Sequence, residues 1–252
     1  MCPEGRNPIN MIDLTGKTVL VTGGARRIGK SLVIAAAKAG ADVIIHYNQS
    51  HEDAEGTCSD VLALGRRARL LCADLSNPRE AAGVIPQALD WGPLFGLVNN
   101  AAIFEQIDWN ASDLESWNRH LMINLSAPLL LSQAFARSVP PQSTGRIINI
   151  LDWRALRPGR DHLPYTVSKA GLAALTRSLA QSLAPNITVN GLALGAILPP
   201  SDGADSHDIL ENVPAGRWAE LDEVEQAFEF LLRGPDYLTG EIIHLDGGRH
   251  VV

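Results

Sequence analysis

A chain of 252 residues with 46% hydrophobic and 19% charged residues has the composition of one large globular unit with a well-buried core. Its net charge of −7 argues against nucleic acid or an anionic membrane as main partner, and no apolar run approaches the ~20 residues of a membrane span. Cys2, Cys58 and Cys72, odd in number and without ligand-like spacing, argue against a disulfide framework or a zinc site and suit a reducing, cytoplasmic compartment.

Residues 1–12 hold Pro3, Gly5 and Pro8 but no apolar signal core, so a loose N-terminal arm is expected ahead of one domain over 13–252. "KTVLVTG" (17–23) reads as a first strand and "KSLVIAAAKAG" as the helix after it, stopped at Gly40. Strands follow at "ADVIIHY" (41–47), "ARLLCADLS" (68–76), "LFGLVNNAA" (94–102), "GRIINILD" (145–152), "ITVNGLALG" (187–195) and "GEIIHLDGG" (240–248). Two long helices are expected at "LESWNRHLMINLSAPLLLSQAFARSV" and "YTVSKAGLAALTRSLAQSLA", and a Pro- and Gly-punctuated loop at 197–214. Continuous apolar strands separated by amphipathic helices imply an α/β fold, a doubly wound parallel sheet of about seven strands with ligands outside the strands' carboxyl ends.

The motifs fall at those ends. "TGGARRIG" (22–29) lies between the first strand and first helix, where backbone N–H groups and a helix N-terminus receive a pyrophosphate; Thr22, Gly23, Ile28 and Gly29 are the candidate contacts. Arg27 stands at the usual middle glycine and can bind phosphate in bidentate fashion, whereas Arg26 reads as solvated. The second strand ends in "HYNQS" without an acid for a ribose 2′-hydroxyl, so His46, Tyr47, Asn48 and Ser50 are expected beside a 2′-phosphate, favouring NADPH over NADH. Asp74 and Leu75 are candidates at an adenine, with helix capping the other reading of Asp74. Asn100 and Ala101 lie beside the cofactor path, and for Asn99 and Asn100 a structural role is the stronger reading. Gly195 closes the set after the sixth strand. Tyr165 and Lys169, at i and i+4 near a helix start, share one face, and an ammonium near the phenol is expected to lower its pKa and make it a usable general acid.

With both ends in place the chain resembles the short-chain dehydrogenase/reductase family over nearly its whole length, through "TGGARRIG", "CADLS", "VNNAA", Asn124 in "LMINLSAP", "YTVSK" and "LTGEIIHLDGG". The resemblance implies a Rossmann-type subunit, a nicotinamide cofactor and a homotetramer. It implies Tyr165 as proton donor, Lys169 on the nicotinamide ribose and Asn124 holding a relay water. The family usually has Ser thirteen residues before the Tyr; this chain has Asp152. Asp152, Arg27, "HYNQS" and "LDGGRHVV" narrow the resemblance to the pteridine reductase and dihydromonapterin reductase group, in which Phe104 would sandwich a pterin against the nicotinamide. Gln49, where that group often has Arg, and Leu194, in place of a common Pro, depart from it.

The carboxyl group has a chemical reason. A ketone's developing oxyanion is opposed by an ionised Asp, but reduction of a ring C=N protonates a nitrogen, and a pterin carries N–H donors that a carboxylate accepts. The expected function is therefore NADPH-dependent reduction of a dihydropterin-like substrate of the dihydromonapterin, dihydrobiopterin or dihydrofolate type. The alternatives are a carbonyl reductase in which Asp152 merely caps a loop or pairs with Arg154, Arg157 or Arg160, and a catalytically silent NADPH-binding protein. An intact Tyr165 and Lys169 count against the last. Phe104 has a packing alternative, and no role is assigned to Trp109, Trp153 or Trp218.

Overall fold

The computed structural model describes residues 11–198 and 207–252, so most of the expected N-terminal arm and the middle of the 197–214 loop lie outside the described residues. Seven parallel strands form one sheet in the order β3-β2-β1-β4-β5-β6-β7. They are β1 (Thr18–Val21), β2 (Asp42–Tyr47), β3 (Ala68–Cys72), β4 (Gly96–Asn99), β5 (Gly145–Asp152), β6 (Ile187–Leu194) and β7 (Ile242–Leu245). The strands are apolar on both faces because both are covered. On one side lie α1 (Arg27–Lys38), α2 (His51–Ala63) and α8 (Leu221–Arg233); on the other lie α3 (Pro78–Leu89), α5 (Ala127–Ser138) and α6 (Leu163–Leu183).

Most expected strands are trimmed at their carboxyl ends, where the chain leaves the ladder to build turns. Gly40 ends α1 as foreseen: with φ +101 it lets its own N–H reach Ala37 O and that of Ala41 reach Ala36 O, a paired closure of the last turn. Leu194 continues β6 in regular register between Asp152 and Leu245, so its replacement of proline leaves the ladder intact.

The long helix expected after Asp113 is not continuous. It runs as α4 (Leu114–Leu121), widens into a π turn over Met122–Ser126 and resumes as α5. Pro128 supplies the reason: it has no N–H for the carbonyl of Asn124 four residues earlier, and its ring crowds that carbonyl. A short α7 (His207–Glu211) follows the undescribed segment.

The sheet order reverses between β1 and β4, which opens a crevice at their carboxyl ends. A buried amide chain braces this edge, Asn99 Nδ2 donating to Asn149 Oδ1 and Asn149 Nδ2 to Thr176 Oγ1, each at 2.8 Å.

Candidate active site

At the β1 end the chain turns through Thr22 to Arg26 into α1. A Cβ on Gly29 would lie 1.9 Å from the Gly23 carbonyl oxygen, so only glycine lets the helix start this close to the turn. Thr22 is a buried bolt: its hydroxyl donates to Val98 O and accepts the N–H groups of Asn100 and Ala101 at 2.9 and 3.0 Å. The Asn100 side chain donates back to Thr22 O and Gly23 O at 2.9 and 3.1 Å and so braces the turn. Arg27, exposed, opens α1 with φ +53, a conformation that suits the glycine it replaces. Arg26 lies 3.9 Å from exposed Asp53, as a solvated pair.

His46 corrects an expectation. Strand alternation turns it inward, 2% exposed, beneath the turn. Its Nδ1 accepts the Gly23 N–H and its Nε2 donates to the Ala73 carbonyl, both at 3.1 Å, which fixes the neutral Nε2–H tautomer. Burial lowers its pKa from 6.5 to about 4. His46 is a strut under the glycine turn and not a surface contact. The exposed polar groups here are Asn48, Gln49 and the Tyr47 hydroxyl, 2.8 Å from His51 Nδ1. Ser50 is the N-cap of α2 but makes no side-chain cap bond.

At the end of β3, Asp74 folds the chain toward α3 by accepting the N–H and hydroxyl of Ser76 at 2.9 and 2.8 Å. The helix cap itself is Asn77, followed by Pro78. Leu75 buries its side chain in the core and Ala101 is half-buried. A Cβ on Gly195, beyond β6, would lie 2.5 Å from Asp246 Cα.

The other half of the site gathers at the end of β5. Asp152 ends the strand and starts a 3-10 turn (Trp153–Ala155), its Oδ1 accepting the Arg154 N–H at 2.8 Å. Its Oδ2 accepts the Tyr165 hydroxyl at 3.2 Å. The two carriers, β5 and α6, bring residues thirteen apart into contact, with Tyr165 buried and Asp152 half-buried. Burial raises the Asp152 pKa despite the Arg154 N–H, the Arg154 charge and Lys169. Burial and then the Asp152 carboxylate raise the Tyr165 phenol well above 10. The expected lowering of Tyr165 by Lys169 is therefore corrected. Lys169 Nζ donates to the Ile150 carbonyl at 2.8 Å and lies 5.8 Å from the phenol ring centre, so the charge facing the hydroxyl is the carboxylate. Burial brings Lys169 itself down from 10.5 to about 8.

Asn124, on the π turn, is fully buried. Its amide oxygen accepts the Ile103 N–H, and its amide nitrogen donates to Ile103 O and to Ser168 Oγ, all at 3.0 Å. It thereby pins the irregular segment after β4 that carries Phe104. Phe104 is 54% exposed and lies outside the buried core. Its ring stacks on His162 at 4.1 Å and meets Tyr165 edge-on at 4.7 Å. His162, the left-handed N-cap of α6, was missed in the sequence, where its signal was only its place ahead of Leu163 and Pro164. The Arg154 guanidinium, one of the three considered as a partner for Asp152, bonds Asp161 Oδ2 at 2.9 Å instead, and only the Arg154 backbone N–H serves Asp152.

A family model described as short chain dehydrogenase matches residues 17–209. Among characterised relatives, 3-oxoacyl-[acyl-carrier-protein] reductase of Synechocystis sp. is 32% identical over 243 residues, covering 94% of this chain and 98% of that protein. The 2-dehydro-3-deoxy-D-gluconate 5-dehydrogenase of Bacillus subtilis is 33% identical over 244 residues, covering 93% and 95%. Among solved structures, FolM alternative dihydrofolate reductase 1 from Brucella canis, complexed with NADP, superposes with a TM-score of 0.88 at 36% identity, covering 96% of this chain and 97% of that one.

Proposed function

This chain belongs to the short-chain dehydrogenase/reductase family, and we propose that it is an NADPH-dependent reductase of a dihydropterin-like substrate. The observation that carries the reading is the Tyr165 hydroxyl on the Asp152 carboxyl group at 3.2 Å, with the Phe104 ring edge-on to the phenol. A carbonyl reductase gains nothing from a carboxylate there, whereas a ring nitrogen taking up a proton does. The Brucella canis protein, with its NADP, supports both the cofactor and the substrate class.

The glycine turn fits the cofactor: Gly23 and Gly29 leave room for a pyrophosphate at the N-terminus of α1, and Arg27 and Ser50 would meet a 2′-phosphate. Asp74, Asn100, Ala101 and Gly195 would border the cofactor along the strand ends. NADPH, when bound, supplies the hydride. Tyr165, kept protonated, donates its proton to the ring nitrogen next to the carbon that accepts hydride. Asp152, its pKa raised by burial, takes up a proton from water and passes it to the tyrosinate, restoring the Tyr165 hydroxyl and the Asp152 carboxylate. Lys169 has two N–H bonds beyond the one on Ile150 and would hold the ribose with them. The Asn124 carbonyl, to which Pro128 cannot donate, would hold the relay water. Phe104 flanks the substrate ring.

Free Cys58 and Cys72 support a cytoplasmic setting, and half-buried Ile242, Ile243 and Leu245 on the edge strand β7 support a homotetramer, measurable as mass in solution. A second reading, carbonyl reduction with a structural Asp152, is favoured by the cap that Asp152 gives Arg154 and by the keto substrates named for the Synechocystis and Bacillus relatives. NADPH oxidation with dihydropterins, dihydrofolate and simple ketones decides between them. Turnover of dihydropterins is expected; turnover of ketones alone would sink the proposal, and binding without turnover would point to a silent protein.

A further inference from the structure

Trp153 has two guanidinium groups against its ring, one from its chain neighbour Arg154 and one from the distant Arg249. Arg249 Cζ lies 4.2 Å from the ring centre and Arg154 Cζ 4.8 Å. Arg154 also lies 5.8 Å from the Phe104 ring centre, so the pair borders the space beside the reacting groups.

The approach of Arg249 is built into the chain. Beyond β7 the backbone reverses through Gly247 and Gly248, with φ +62 and +86. Buried Asp246 holds the reversal by accepting the N–H groups of Gly248 and His250 at 3.0 and 2.8 Å. This construction drives one cation toward another, which is unfavourable without an anion to join them. The available carboxylates do not complete the set. Asp161 bonds Arg154, but Arg249 has no carboxylate within 4.0 Å among the described residues. The Nε atoms of both arginines are buried without a hydrogen-bond partner. Burial and the neighbouring Arg154 push the Arg249 guanidinium down from its ordinary value, and the carboxylates of Asp152, Asp161 and Asp246, which act on it without bonding it, offset this only in part.

We propose that Arg154 and Arg249 form a subsite for a carboxylate carried by the substrate at a distance from the bond that is reduced. Two planar forks with unused N–H groups match a carboxylate, and Trp153 supplies an apolar floor for the chain leading to it. The inference rests on the reading that Tyr165 and Asp152 mark the reacting end. It favours an acid-tailed dihydropterin over one with a neutral side chain. A keto sugar acid presents the same group, and the substrates tested separate the two.

The test is steady-state kinetics at saturating NADPH with dihydrofolate, dihydrobiopterin and 5-keto-gluconate. Arg249→Gln is expected to raise KM for an acid-bearing substrate about tenfold more than KM for dihydrobiopterin. Arg249→Lys should recover part of the difference. Equal changes for acidic and neutral substrates, or no change for either, overturn the subsite. If the wild-type protein turns over none of the three, the functional reading fails separately. The subsite is then judged by calorimetric titration of the NADPH-loaded protein with p-aminobenzoylglutamate. Binding weakened about tenfold by Arg249→Gln sustains it; no binding, or binding indifferent to the substitution, overturns it.

Discussion

At Asp152 one carboxyl group meets two demands, capping the 3-10 turn with one oxygen and receiving the Tyr165 hydroxyl with the other. A serine separates them. Serine caps a turn nearly as well as aspartate, but it cannot take up and return the proton. Asp152→Ser is therefore expected to cut kcat with a dihydropterin about a hundredfold, leaving the dissociation constant for NADPH unchanged. Removing the carboxylate also removes one cause that raises Tyr165, so the basic limb of the kcat profile moves to lower pH. A parallel loss of NADPH affinity and thermal stability would mean that Asp152 only holds the fold. The spacing from Asp152 to Tyr165 was readable in the sequence because a strand end and a helix start bracket it. The direction of the Tyr165 shift was not, because it depends on which charge faces the hydroxyl.

Two helix starts carry the departures from regular geometry. α1 begins on Arg27 with φ +53, a conformation that costs a side-chain-bearing residue about 1 kcal/mol or more. Strain of this kind points to a use for the side chain. Arg27→Gly should lower NADPH affinity at least tenfold and change NADH affinity little, read by fluorescence titration; an equal loss for both refutes the 2′-phosphate role. α5 begins after the π turn that seats Asn124. Hydrophobic period alone made α4 and α5 look like one helix, since a π turn shifts the register without breaking the apolar pattern. The mark left in the sequence was Pro128.

Across the whole molecule, the sheet was the readable part, because seven apolar runs separated by helical segments admit few parallel arrangements. The meeting of Arg154 with Arg249 was unreadable, since it depends on a reversal beyond β7. Acid stability is another property of the whole fold. His46 falls from 6.5 to about 4 on folding, so its contribution is present above pH 6.5 and lost as pH falls through 4. The loss amounts to roughly 3 kcal/mol, and urea unfolding across that window should show it. In His46→Gln the slope between pH 6.5 and 4 should flatten; a slope unchanged from wild type would assign the acid sensitivity elsewhere. The glycine reversal after β7 has a different consequence. Arg249 adds nothing to the sheet, yet it reaches Trp153 beside the reacting end, so the proposed subsite would let substrate choice be rewritten there without disturbing a single strand. Grafting the Asp246–His250 turn between related enzymes is then a route to exchanging preferences while inheriting the catalytic chemistry intact.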